Sequence, residues 1–319
     1  MKLPVPFIQL PLQFDAARLA AEVQALGAGA WRPHPQKYAG NFGLPLIAAH
    51  GDPESNATAG PMLPTSYLNA CPYLSQVLRR LGAVWGRTRL MKLTAGAEVD
   101  RHVDINYYWR ERMRVHVPIQ TSPAVRFICG DAEVNMAAGE CWLFDTWRDH
   151  RVINGSDHER IHLVADTVGG DRFWELVGRG RAYGQALPGW RAEAGDGGQG
   201  EASPLRLERE NAPQVMTPWE LREHVRFLFA HLLPAPQLDT VQQAGQRFVT
   251  RWHALWSQYG DAPDGRAAFA TLLDEFDGWL AQNGAALMLQ NGMELLRTWR
   301  SMIYVTALVR DVHRREGSA

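Results

Sequence analysis

The chain has 319 residues, more than one hydrophobic core usually organises, so two domains are expected. Its 33 basic and 34 acidic residues leave a net charge of −1, which excludes a global field that recruits nucleic acid or an anionic membrane. Three cysteines, Cys71, Cys129 and Cys141, are odd in number and form no CxxC; a disulfide framework and a zinc knuckle are excluded, and a cytoplasmic location is expected.

The N-terminus is apolar but broken by Pro4, Pro6 and Pro11, unlike the core of a signal peptide, and no run is long enough to span a membrane. Residues 7–13 alternate like a half-buried strand. Asp15 caps a helix carrying Leu19, Val23 and Leu26, which Gly27 and Gly29 stop. From Trp31 to Met62 the chain is dense in Pro, Gly, Asn and His and reads as a long functional loop. A short helix over 74–81 precedes expected strands at 87–93, 114–119, 124–129, 141–144 and 160–167. Turns at Gly96, Pro123, Gly130-Asp131, Gly139 and Asn154-Gly155 separate these strands in the manner of an antiparallel sandwich or barrel. Beyond Phe173-Trp174 the composition shifts to Gly, Ala and charge, as in a linker. Thr217, Pro218 and Glu220 then form a helix start, and further helices are expected at 238–259, 266–283 and 285–310, enough for a bundle. The expected division is 1–185, a linker at 186–212, and a helical domain at 213–319.

Chemistry concentrates between Arg89 and Asp166. His102 and Asp104, two positions apart on an extended segment, point the same way. A further imidazole would complete two histidines and one carboxylate, a set that suits non-haem Fe(II) with open coordination positions and also suits zinc. His150 is the candidate, read as lying where a strand end runs into a polar loop, with Asp149 or Asn154 to orient it. Alternation places Arg114 with His116, and Arg160 with His162, on one face, while Ile161, Leu163 and Ala165 share the other. A barrel with a charged lumen would produce this pattern. An arginine there needs a partner: either Asp145 or Asp166, or a bound dicarboxylate held by paired charge-assisted hydrogen bonds. His34 and His50 read as surface residues. Tyr107, Tyr108 and Trp109 read equally as substrate contacts or as rim aromatics.

The run His102-x-Asp104, Arg114-x-His116-x-Pro118, Gly139-Glu140-x-Trp142-x-Phe144-Asp145, His150, Asn154, Arg160-x-His162-Leu163 and Asp166 resembles the aspartyl/asparaginyl β-hydroxylase family, on the side of its bacterial L-proline cis-4-hydroxylase-like branch. Asp104 supports that side, since the animal aspartyl hydroxylases have glycine there. The resemblance covers roughly the first 180 residues. It implies an α+β chain in which a double-stranded β-helix, jelly-roll or cupin-like, precedes the C-terminal α-helical domain. It also implies Fe(II), O2 and 2-oxoglutarate, with iron ligands at His102, Asp104 and His150 and the distal carboxylate of 2-oxoglutarate on Arg160. Arg114 and His116 match the family's basic pair that helps hold the cosubstrate, and Arg89 matches a functional arginine of the proline hydroxylase branch. The expected activity is hydroxylation of an amino acid, or of an amino-acid residue in a peptide or protein, with release of succinate and CO2. The alternative is a non-catalytic metal- or ligand-binding barrel with a helical interaction domain. No resemblance covers residues 211–319, whose apolar faces suit a homodimer contact, a substrate cap or a docking surface, or simply a core.

Overall fold

The computed structural model describes residues 1–36, 38–195 and 204–310. In chain order the strands are β1 (Phe7–Gln13), β2 (Arg32–Pro33), β3 (Asn41–Ala49), β4 (Met62–Pro64), β5 (Val84–Leu93), β6 (Glu98–His102), β7 (Met113–Gln120), β8 (Val125–Cys129), β9 (Ala132–Val134), β10 (Glu140–Phe144), β11 (His150–Asn154) and β12 (Arg160–Gly169). Three short strands follow, β13 (Arg181–Ala182), β14 (Glu193–Ala194) and β15 (Arg206–Leu207). The helices are α1 (Ala16–Ala25), α2 (Ser66–Asn69), α3 (Pro72–Leu81), α4 (Tyr107–Glu111), α5 (Asp171–Gly178), α6 (Pro218–Ala230), α7 (Leu238–Tyr259), α8 (Arg266–Asn283) and α9 (Leu295–Trp299). Two compact units result among the described residues, one of Met1–His102 with Glu111–Asn211, the other of Val103–Arg110 with residues 212–310.

The first unit is a double-stranded β-helix. Its larger sheet runs β13-β1-β10-β7-β12-β5-β3-β2, with β14, β15 and β4 attached to β1, β5 and β3; the smaller runs β6-β11-β8-β9. Side-chain alternation gives the larger sheet two different faces. Val115, Val117 and Ile119 of β7 and Ile161, Leu163 and Ala165 of β12 join a core with Leu19 and Val23 of α1, Leu74, Val77, Leu78 and Leu81 of α3, and Phe173 and Leu176 of α5. Each such Leu stabilises the unit by roughly 1.5–3 kcal/mol. The opposite face looks into the lumen, where Phe7, Leu93, Trp142 and Phe144 meet Phe127, Cys129, Val134 and Val152 of the smaller sheet. Gly139 turns the chain into β10 with φ +79°; a Cβ there would lie 2.2 Å from the Phe14 carbonyl oxygen.

The stretch expected to be a loop, 31–62, contains β3, which pairs with β5 along most of its length. Its pattern is obscured because Gly43 and Pro45 take lumen-facing positions opposite Met91 and Arg89, while Leu44 and Leu46 fill the core. A register shift between Pro45 and Ile47 accommodates the proline. Residues 204–211, inside the expected linker, also pack into the first unit. There β15 pairs with β5, and Glu208 receives Nε and Nη2 of Arg112, both at 2.9 Å, with both residues buried. Within that stretch residues 196–203, and at the chain end residues 311–319, lie outside the described residues.

In the second unit Thr217 caps α6 by accepting from the Glu220 N–H, and α7 and α8 begin and end where helical spacing predicts. Trp252, Phe269, Phe248, Phe276 and Trp299 interlock there. The long helix expected at 285–310 does not form. Gly284 ends α8, Gly292 adopts φ +80°, and only the one-turn α9 followed by a π-turn at Arg300–Tyr304 is helical. Tyr107 donates to Glu220 at 2.8 Å, and the Arg110 guanidinium lies 4.0 Å above the Phe227 ring. No helix among the described residues is long and apolar enough to cross a membrane.

Candidate active site

His102 ends β6 and His150 opens β11, where the two strands pair them directly; their ring centroids are 4.2 Å apart. His150 therefore starts a strand rather than ending one in a loop. Asp104 sits two residues past the end of β6, in irregular backbone. His102, Asp104 and His150 each offer a ligand atom, all within 4.8 Å of one another. The Nδ1–H of His102 donates to the Asp100 carbonyl, and that of His150 to the Arg148 carbonyl, both at 2.8 Å. Each ring thereby has its Nδ1–H engaged, which leaves Nε2 as the nitrogen that can face a metal.

The turn delivering His150 is built on Asp145, which accepts from the Trp147 N–H at 3.1 Å and from Arg148 Nε at 3.0 Å. Burial raises the Asp145 pKa, and these same bonds work against the rise. The orienting partners expected from the sequence are engaged elsewhere. Asn154 gives its Nδ2 to the carbonyls of Leu93, Thr94 and His158, and Asp149 pairs with Arg101.

Aromatic rings connect this cluster to the basic face of the larger sheet. His150 lies 4.9 Å from Phe144, Phe144 lies 5.4 Å from His116, and His116 lies 5.7 Å from His162. Arg160 Nη2 then donates to His162 Nδ1 at 2.7 Å. Arg160 is 4% exposed, and its Nε is buried without a partner. Neither carboxylate considered for it is available, because Asp166 pairs with Arg114 at 3.0 Å and Asp145 with Arg148. Among the described residues no carboxylate pairs with Arg160. Burial lowers its pKa to about 9, so it remains a cation at neutral pH. Burial, reinforced by Arg160, pushes His116 and His162 well below the usual histidine range and keeps both neutral. Arg89 lies on the same face, opposite Val164 and Pro45.

His34, expected on the surface, belongs to this field. Burial first, then Arg89, Arg87, His102 and Arg114, lowers its pKa to about 4. Its ring stacks on Tyr38 with centroids 5.2 Å apart. Its position in a Pro-rich stretch gave no periodic signal that could have shown this.

A family comparison covers this part of the chain. Residues 59–169 match the aspartyl/asparaginyl beta-hydroxylase family. The matched segment runs from β4 to β12 and carries the three clustered groups, Arg89, Arg114, His116 and Arg160. Among solved structures, a Pseudomonas putida prolyl-4-hydroxylase is similar at 16% identity, over 51% of this chain and 92% of that one, with a TM-score of 0.36. A Burkholderia pseudomallei oxidoreductase of the 2OG-Fe(II) oxygenase family is similar at 14% identity, over 52% and 87%, with a TM-score of 0.38. A cupin domain from Bordetella pertussis is similar at 20% identity, over 25% and 79%, with a TM-score of 0.21. No curated protein matches the sequence.

Proposed function

We propose that this chain is an Fe(II)- and 2-oxoglutarate-dependent dioxygenase that hydroxylates an amino acid or an amino-acid residue of a peptide. The observation that carries the reading is the pairing of a His102-Asp104-His150 cluster with a buried arginine, Arg160, with which no carboxylate among the described residues pairs. The residues fit both groups. Two imidazoles and one carboxylate suit a divalent iron and leave coordination positions open, and the Arg160 guanidinium suits a carboxylate. When bound, iron, O2 and 2-oxoglutarate together supply oxidative decarboxylation to succinate and CO2, coupled to hydroxylation of an unactivated C–H bond.

This chain's own residues would contribute position and shelter. His102, Asp104 and His150 hold the metal, with the two imidazoles aimed by the Asp100 and Arg148 carbonyls. Arg160 takes the distal carboxylate, while Arg114, whose charge is shared with Asp166, and His116 line the same face. Arg89 is assigned to anion binding on that face. Leu93, Phe127, Phe144 and Val152 keep bulk water from the lumen, which protects a reactive oxidant from quenching.

The test is succinate release from 2-oxoglutarate across a panel of amino acids and short peptides. Substrate-dependent succinate formation that disappears in Asp104→Ala supports the reading; absence of turnover with every candidate favours a binding barrel instead.

A further inference from the structure

The two lumen arginines on β7 and β12 have different partners. Arg114 faces the carboxylate of Asp166 at 3.0 Å. Arg160 faces an imidazole, His162, at 2.7 Å, and that imidazole is 1% exposed. Since the guanidinium has only donors, His162 Nδ1 must accept and so carries no proton. The ring is the Nε2–H tautomer, and its Nε2 is buried without a partner. His116 Nδ1 lies 3.4 Å from the same His162 Nδ1 and braces it from β7.

Three kinds of side chain could occupy this position on β12. A carboxylate would hold the guanidinium but neutralise it, and an incoming anion would have to displace it. An aliphatic group would leave the charge intact but the planar fork unheld, and ordering it would then cost affinity. A neutral acceptor holds the fork and leaves its charge uncompensated. Histidine kept neutral by burial is such an acceptor.

We propose that His162 is the positioning residue for Arg160: as a neutral acceptor it orients the guanidinium toward the lumen while leaving its charge for a ligand carboxylate. The inference rests on the proposed cosubstrate role of Arg160 and adds a residue to which the sequence assigned a face but no task. His162 acts through Arg160 and is not a catalytic residue.

The test measures 2-oxoglutarate affinity by calorimetry on the full chain loaded with Mn(II) under argon, for wild type, His162→Gln, His162→Leu and His162→Glu. Thermal unfolding and Mn(II) affinity are recorded on each. The Gln amide oxygen accepts as the imidazole does, so H162Q should bind within about threefold of wild type, whereas H162L should weaken binding about tenfold or more. H162E should be weakest, about a hundredfold or more, because its carboxylate takes the ligand's place. Mn(II) affinity should stay unchanged in all three. Equal affinity in H162Q, H162L and H162E overturns the proposal, as does a loss that follows thermal stability rather than acceptor chemistry. Failure of wild type itself to bind 2-oxoglutarate would instead overturn the cosubstrate role of Arg160.

Discussion

A buried guanidinium is tolerable only if something compensates it, and Arg160 has an imidazole where Arg114 has a carboxylate. The cosubstrate carboxylate proposed above would supply the compensating charge. Removing the fork in Arg160→Ala should therefore raise the 2-oxoglutarate requirement by roughly 10- to 150-fold, the equivalent of ~1.5–3 kcal/mol for a charged hydrogen bond. Fe(II) affinity should be unaffected; a matching loss of metal would show that Arg160 acts on the cluster instead. The buried histidines also make stability depend on pH. His116 and His162 have folded pKa values well below the ordinary value, with burial the first cause, so protonation favours the unfolded chain. Their contribution is present above about pH 6.5 and is lost as pH falls, by up to about 1.4 kcal/mol per pH unit for each imidazole. Urea midpoints at pH 7.5, 6.5 and 5.5 should decline accordingly, and less steeply in His162→Gln; an identical slope in that variant would remove the assignment.

Among the elements, the pairing of β6 with β11 sets His102 opposite His150. The His-x-Asp spacing was legible because residue types two apart carry directional information. The carbonyls that orient both imidazoles were not, since backbone acceptors leave no signature in residue types. Asn154 illustrates the difference: its place four residues after His150 suggested a partner for that ring, but its amide ties the end of β5 to the turn before β12. Asn154→Ala should accordingly cost stability, about 1–3 kcal/mol for the buried groups left unpaired, while Fe(II) affinity measured below the unfolding transition stays intact. A selective loss of metal would restore the orienting role. β3 was hidden by Gly43 and Pro45, which interrupt apolar alternation where lumen space, not core packing, decides the residue. Conversely, the apolar spacing over 285–310 suggested a helix that Gly292 and the bridge between Met288 and Glu294 prevent.

For the whole molecule, the buried Arg112–Glu208 pair ties residues beyond 185 to the β-helix unit. Sequence composition around 186–212 gave the appearance of a linker because Gly and charge dominate its middle, while the single glutamate that matters lies near its end. Glu208→Ala leaves Arg112 buried without its partner and should destabilise by about 3–5 kcal/mol, whereas the double change Arg112→Met with Glu208→Leu should recover most of that loss. A chain ended at residue 185 should be destabilised in the same way, read by thermal unfolding; an undiminished transition in that fragment would show the pair to be dispensable. The family match at 59–169 covers the site-bearing strands, and the helical unit remains the part for which sequence offered architecture but no chemistry.

Anaerobic titration of the apoprotein with Fe(II) and then 2-oxoglutarate, following the weak visible charge-transfer band of a chelated complex, tests the proposed iron and cosubstrate sites most directly. The band should appear, should be lost in His150→Ala and Asp104→Ala, and should require more 2-oxoglutarate in Arg160→Ala. Iron binding without the band, or a band unchanged in Asp104→Ala, would contradict a 2-oxoglutarate-chelating iron site at His102, Asp104 and His150.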